Sequence, residues 1–251
     1  MQVVGYDAAP DPALYLASDG DVTHEPLESG RELSYSLGSR RCAGTVTDAG
    51  HRACEHDRAP YCDQHSSVWV CAKCTGTCLK DEMDCVEEHA IYLAAFAPAL
   101  WKVGVTRAWR LETRLREQGA QRAAHLRTVK DGRIARELEA ELAAEHDIVD
   151  RVRVPDKLPG LAREVDAEAW EAFYTQFDPV DTFAFDYGLD LTSQPVPETI
   201  AAGTVAGVQG RVLVLEREGT SYAVDLRDLV GYELTEGGET QDLQSSLGAW
   251  G

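Results

Sequence analysis

The stretch AIYLAAFAPALWKVGVTR, residues 90–107, separates into two sets when read by alternate positions. Ile91, Leu93, Ala95, Trp101, Val103 and Val105 are all apolar, whereas Tyr92, Lys102, Gly104 and Thr106 fall in the other set. The pattern predicts a β-hairpin with one buried face and one face left free for chemistry. Pro98 belongs in the turn, because proline cannot donate to a ladder. Each set keeps its own face only if paired residue numbers sum to an even number, which calls for a loop of about three or five residues.

Downstream, the periodicity predicts a helix from about Arg107 to Gln118. Ala108, Leu111 and Leu115 form its apolar stripe, and Arg107, Arg110 and Arg114 line the flank. Gly119 is a natural stop. A third strand at about Ala123–Val129 leads through Asp131-Gly132 into a second helix. There Ile134, Leu138 and Leu142 recur every turn with Glu139 beside them. The order strand, strand, helix, strand, helix describes a compact α+β unit, placed at 90–160.

AIY followed ten positions later by KVG and Thr106 resembles the paired strand motifs of the GIY-YIG nucleases, especially their phage-type members. The resemblance implies a GIY-YIG-like core. Arg114 on the first helix and Glu139 on the second stand where that family completes its site, with Lys102 in place of the second Tyr. It implies that Glu139 holds one Mg²⁺ or Mn²⁺, Arg114 clamps a phosphate and Tyr92 orients or activates the nucleophile. Such a site requires Tyr92, Arg114 and Glu139 to converge within roughly 10 Å. KVGVTR together with EQGA and the upstream cysteines also resembles a prokaryotic zinc-containing family known as a domain of unknown function.

The chain carries 43 acidic and 24 basic residues, a net charge of −19 at pH 7. Few of the basic residues are Lys, and a Lys-poor acidic surface of this kind points to a halophilic archaeal source. The acidity is uneven. Between Lys102 and Arg136 ten basic residues face only Glu112, Glu117 and Asp131, so this window is +7 and the remainder −26. A basic island in an acidic chain suggests a polyanionic partner, DNA or RNA, with Arg107, Arg110, Arg114 and Arg122 as contacts. The first thirty residues do not resemble a signal peptide, and the longest mostly apolar run, Ala90 to Trp101, is too short to span a bilayer. The expectation is a cytoplasmic protein.

Residues 42–89 hold seven cysteines, which a reducing compartment would keep as thiols. Cys71-x-x-Cys74 with Cys78 and Cys85 makes one four-thiolate set. Cys62-x-x-His65 with Cys42 and Cys54 makes a second. Seven Cys and one His fill two tetrahedral zinc sites, although His89 is an alternative to Cys85. Sites closed by four protein ligands leave no position for water and are structural.

The flanks read as β-rich. Residues 1–41 and 199–240 each contain short strands around an Asp-Gly or Glu-Gly turn. Leu14, Leu16, Gly20 and Leu27 slide onto Leu213, Leu215, Gly219 and Leu226, as in a divergent repeat. The two ends are expected to pack as small β-barrel-like segments. Residues 161–198 combine a helix from near Asp166, whose Trp170, Phe173, Tyr174 and Phe177 read as core, with an acidic linker. Residues 241–251 form a tail. Two functions fit this chain: a metal-dependent phosphodiesterase acting on nucleic acid, or a non-catalytic zinc-containing nucleic-acid-binding or regulatory protein.

Overall fold

The computed structural model describes residues 1–66 and 86–237. Its centre is the hairpin of β7 (His89–Phe96) and β8 (Leu100–Arg107), whose partners run from His89↔Arg107 to Phe96↔Leu100. The loop is therefore residues 97–99, and the even pairing sum holds each side-chain set to its own face. A 3₁₀ turn, Ala108–Arg110, leads into α1 (Leu111–Glu117). Strand β9 (Arg122–Val129) then returns to pair with β7, and α2 (Gly132–Glu145) follows, its N-terminus capped by Asp131 accepting from the Ile134 amide at 2.9 Å.

Neither face of the hairpin is free. All eight residues of β7 are buried. Tyr92, Ala94 and Phe96 pack under Leu111 and Leu115 of α1 and under Phe185, whereas Ile91, Leu93 and Val103 pack against Ala135 and Trp170. The expectation of one open face is corrected by tertiary packing. The apolar stripe of α1 has to be covered, and the Tyr92 side is what it finds. Helix α3 is short (Val154–Lys157), and α4 (Ala167–Tyr174) starts at its Asp166 cap and lays Trp170 into the core with Phe173, Tyr174 and Phe177 around it. Part of the expected acidic linker is ordered: β10 (Asp181–Ala184) extends the sheet at β9 to give the order β10-β9-β7-β8.

The chain ends meet in a nine-stranded sheet. It comprises β1 (Gln2–Asp7), β2 (Ala13–Ser18), β3 (Asp21–Pro26) and β4 (Glu32–Arg40) with β11 (Val196–Pro197), β12 (Ala201–Gln209), β13 (Val212–Arg217), β14 (Thr220–Asp225) and β15 (Tyr232–Glu236). The order is β11-β14-β13-β12-β4-β15-β1-β2-β3. The terminal strands β11 and β3 are not joined, so the barrel-like segments expected from the sequence are replaced by one open sheet. Each three-stranded meander sends its following strand to the other meander: β4 pairs β12, β15 pairs β1, and β4 and β15 pair with each other. The first hairpin of each meander carries a bulge at the same place, next to Val3↔Leu16 and Val205↔Leu215. Leu14, Leu16, Leu27, Leu213, Leu215 and Leu226 share one core. Helix α5 (Leu226–Leu229) buries both of its leucines in that core, and β5 (Thr45–Thr47) and β6 (Gly50–Arg52) form a small ribbon beside the first cysteines. Among the described residues no helix is long and apolar enough to cross a membrane.

Candidate functional site

Cys42 stands two residues beyond the end of β4 and is buried, and its Sγ accepts from the amides of Gly44 at 3.4 Å and Cys62 at 3.3 Å. Gly44 has φ +68°, and a Cβ there would stand 2.1 Å from the Arg52 carbonyl, so only glycine lets the β6 ribbon close over the thiol. Cys62 opens a tight turn in which the His65 and Ser66 amides donate back to its carbonyl at 3.0 and 2.8 Å. That turn aims His65 Nδ1 at Cys62 Sγ (3.2 Å) and Cys42 Sγ (3.3 Å).

With Cys54, the four ligand atoms all lie within 4.8 Å of one another. A tetrahedral zinc with Zn–S of about 2.3 Å and Zn–N of about 2.0 Å spaces its ligands by roughly 3.5–4 Å, so this Cys₃His group suits zinc. Burial pushes the Cys62 thiol up, but amide donors from Gln64 and His65 and the neighbouring Cys42 and His65 side chains outweigh it and bring the thiol down to about 6. The other nearby imidazoles are engaged: His51 Nε2 is 2.8 Å from the Ala43 carbonyl, and His56 Nδ1 accepts from the Arg58 amide.

The second predicted set, Cys71, Cys74, Cys78 and Cys85, lies outside the described residues. His89, its alternative member, is buried at the start of β7 with Nδ1 2.7 Å from the Glu87 carbonyl.

The residues matched to the nuclease motif fall into two groups. Tyr92 is 1% exposed and its hydroxyl accepts from Gln118 Nε2 at 2.6 Å. Gly104 is its cross-strand partner. Lys102 is only 9% exposed, with Nζ 6.0 Å from the Tyr92 ring centroid, and among the described residues its ammonium has no hydrogen-bond or carboxylate partner. Arg114 is exposed and paired to Glu117 at 3.2 Å. These residues lie on the α1 side of the sheet.

Glu139 is buried on α2, whose Ala135 and Leu138 pack against the opposite side. It accepts from Arg136 Nη1 at 2.6 Å. Burial raises its carboxyl above the usual range against the pull of Arg136, and the charge of Lys102 also reaches it. Tyr92 and Lys102 are thus brought together, and Glu139, on the helix that packs against the other face, lies close enough for the Lys102 charge to reach it.

Most arginines of the basic island hold carboxylates: Arg107 with Glu87 (3.1 Å), Arg110 with Glu117 (2.6 Å) and Arg116 with Glu112 (3.0 Å). Glu117 serves both Arg110 and Arg114, so the charges do not cancel one for one. Arg122 is exposed and, among the described residues, donates only to the Gln121 carbonyl.

Three features escaped the sequence reading. Trp109 is 72% exposed, with the Arg110 guanidinium 5.9 Å from its ring and its Nε1 donating to the Glu87 carboxylate that also holds Arg107. Lys157 Nζ donates to the Gln118 carbonyl at 2.6 Å and sits 4.3 Å from the Phe96 ring. Arg211 on the loop before β13 is held by Asp225, Nε to Oδ1 at 2.7 Å, and adds its charge near Lys157. No local pattern marks any of the three, since each gains meaning only from its neighbours in space.

Neither the curated proteins nor the solved structures yield a match to the chain. A family model described as a protein of unknown function, DUF2797, matches residues 30–234, from the last N-terminal strand through the cysteine segment and the central unit to β15. The chain belongs to the DUF2797 family.

Proposed function

We propose that this chain is a nucleic-acid-binding protein in which zinc at Cys42, Cys54, Cys62 and His65 anchors the cysteine segment to the end of β4. On this reading the arginine-rich surface around α1 meets the phosphate backbone. The observation that carries it is Trp109. In a chain of net charge −19, the large exposed aromatic of the central unit stands between Arg107 and Arg110. An exposed indole flanked by guanidinium groups is a surface on which a base stacks while the cations meet phosphates, and each stacked base contributes about 1–3 kcal/mol. Binding is placed ahead of cleavage because the Tyr92 hydroxyl is sealed under α1 and Glu139 is committed to Arg136.

The test is a binding and cleavage panel in KCl with single- and double-stranded DNA and RNA, with and without Mg²⁺ or Mn²⁺. Retained, salt-sensitive binding without turnover supports the reading. Metal-dependent cleavage lost in Glu139→Ala would instead favour the phosphodiesterase. Absence of binding at the lowest salt the protein tolerates would leave the arginines as a solvated, carboxylate-paired surface.

A further inference from the structure

Around Gln118, where α1 ends, four cations from four separate parts of the chain come together. Lys102 comes from β8, Arg114 from α1, Lys157 from α3 and Arg211 from the loop before β13, which is tied to the end of α1 by Gln209 Nε2 donating to the Gly119 carbonyl at 2.9 Å. The contacts tie them to one place. Lys157 donates to the Gln118 carbonyl, Gln118 donates to Tyr92, and the Lys102 ammonium lies over the Tyr92 ring. The three carboxylates in the neighbourhood are held by arginines: Glu117 by Arg110 and Arg114, Asp225 by Arg211, and Glu139, which the charge of Lys102 reaches, by Arg136. Neither lysine has a carboxylate partner among the described residues, and the Lys102 side chain is about nine-tenths buried.

Burying like charges together is costly unless an anion joins them. Burial and then the charges of Lys102, Arg211 and Arg114 hold the Lys157 ammonium down to about 7, with Asp225 opposing weakly. The fold thus keeps a half-buried cation under strain where a small anion would relieve it.

We propose that Lys102, Lys157, Arg114 and Arg211 form a binding pocket for a terminal phosphate, the monoester end of a nucleic-acid strand. A monoester carries close to two charges near neutral pH and only one ester substituent, so it can reach an ammonium as recessed as that of Lys102. An internal phosphodiester, flanked by sugars on both sides, cannot. The identity of the strand rests on the nucleic-acid reading above. The phosphate pocket itself does not.

Calorimetric titration of the full chain separates the two, using inorganic phosphate, sulfate, and one oligonucleotide with 5′-phosphate, 3′-phosphate or hydroxyl ends. A phosphorylated end should bind about tenfold more tightly than the hydroxyl-ended strand, as expected for one or two added charge-assisted hydrogen bonds. Lys157→Met and Lys102→Met should each erase that difference and leave hydroxyl-ended binding unchanged. Sulfate keeps its charge across the range, so its affinity for the wild type should fall as pH rises through and beyond 7, while Lys157→Met shows a flat profile.

Should either variant unfold, lysine NMR on the wild type serves instead: phosphate should raise the titration midpoint of Lys157 by at least about one unit. Equal affinity for phosphorylated and hydroxyl ends, or a Lys157 midpoint that phosphate does not move, overturns the pocket and leaves the nucleic-acid reading standing. Binding of phosphate but of no oligonucleotide keeps the pocket and overturns the strand.

Discussion

Tyr92 lies directly against Gly104, its cross-strand partner, and a Cβ on Gly104 would stand 2.6 Å from both the ring Cζ and the hydroxyl of Tyr92. The glycine of the KVG motif is therefore the floor on which the tyrosine rests. Gly104→Ala should force Tyr92 off Gln118 and destabilise the protein by about 1–3 kcal/mol, the usual cost of overpacking a buried site. Tyr92→Phe alone, which removes only the hydroxyl that Gln118 reaches, should cost less, about 1 kcal/mol. Denaturant unfolding of both variants checks this, and an alanine at 104 that leaves stability unchanged would mean that the sheet has room the packing denies.

Zinc analysis of protein purified without chelator should return two ions per chain. Cys62→Ala should lower the count by one and loosen residues near the end of β4, because Cys42 Sγ holds the amides of Gly44 and Cys62. Cys74→Ala should remove the other ion. Native mass spectrometry that finds no zinc, or thiol counts showing disulfides, would refute the metal assignment.

Glu139 gives a pH signature. Because burial raises its carboxyl, the folded protein keeps that proton to higher pH than the unfolded chain, whose glutamates titrate near about 4.3. The stability it contributes is present below that pH and is lost as pH rises through the folded-state value. Glu139→Gln cannot ionise. The unfolding free energy of the wild type, measured relative to the variant, should therefore decline from about pH 4 upward. A difference that rises with pH would show that the Arg136 pair outweighs burial.

Trp109→Ala should weaken nucleic-acid binding by about tenfold without changing stability, since the indole is exposed. Arg110→Glu should weaken it further and reduce the steepness of the salt dependence. If neither variant differs from the wild type in a fluorescence-anisotropy titration, the strand does not pass over α1.

With a net charge of −19, self-repulsion opposes compaction at low ionic strength. Thermal midpoints should climb by several degrees between about 0.1 M and 2 M KCl, as the Debye length shrinks from about 10 Å to below 3 Å. A midpoint that falls with KCl would indicate that surface pairs such as Arg133–Glu137 matter more than net repulsion.

The sequence alone determined the hairpin, the odd length of its turn, the alternation of faces, the two amphipathic helices and the Cys62-x-x-His65 turn, and the pairing selected three residues over five. Each is a local feature in which a period or a spacing forces the geometry. It also singled out Cys42 and Cys54 as partners for that turn, by count. Tertiary structure decided the rest, because those choices depend on what covers what. Leu111 and Leu115 needed a surface, so α1 closed the face that alternation left open and sealed Tyr92. Strands β4 and β15 exchanged meanders, so the barrel-like end segments became one open sheet. Lys157 and Arg211, cations that no local pattern marks along the chain, acquired a role only when packing brought them beside Lys102, where burial makes like charges expensive and an anion useful.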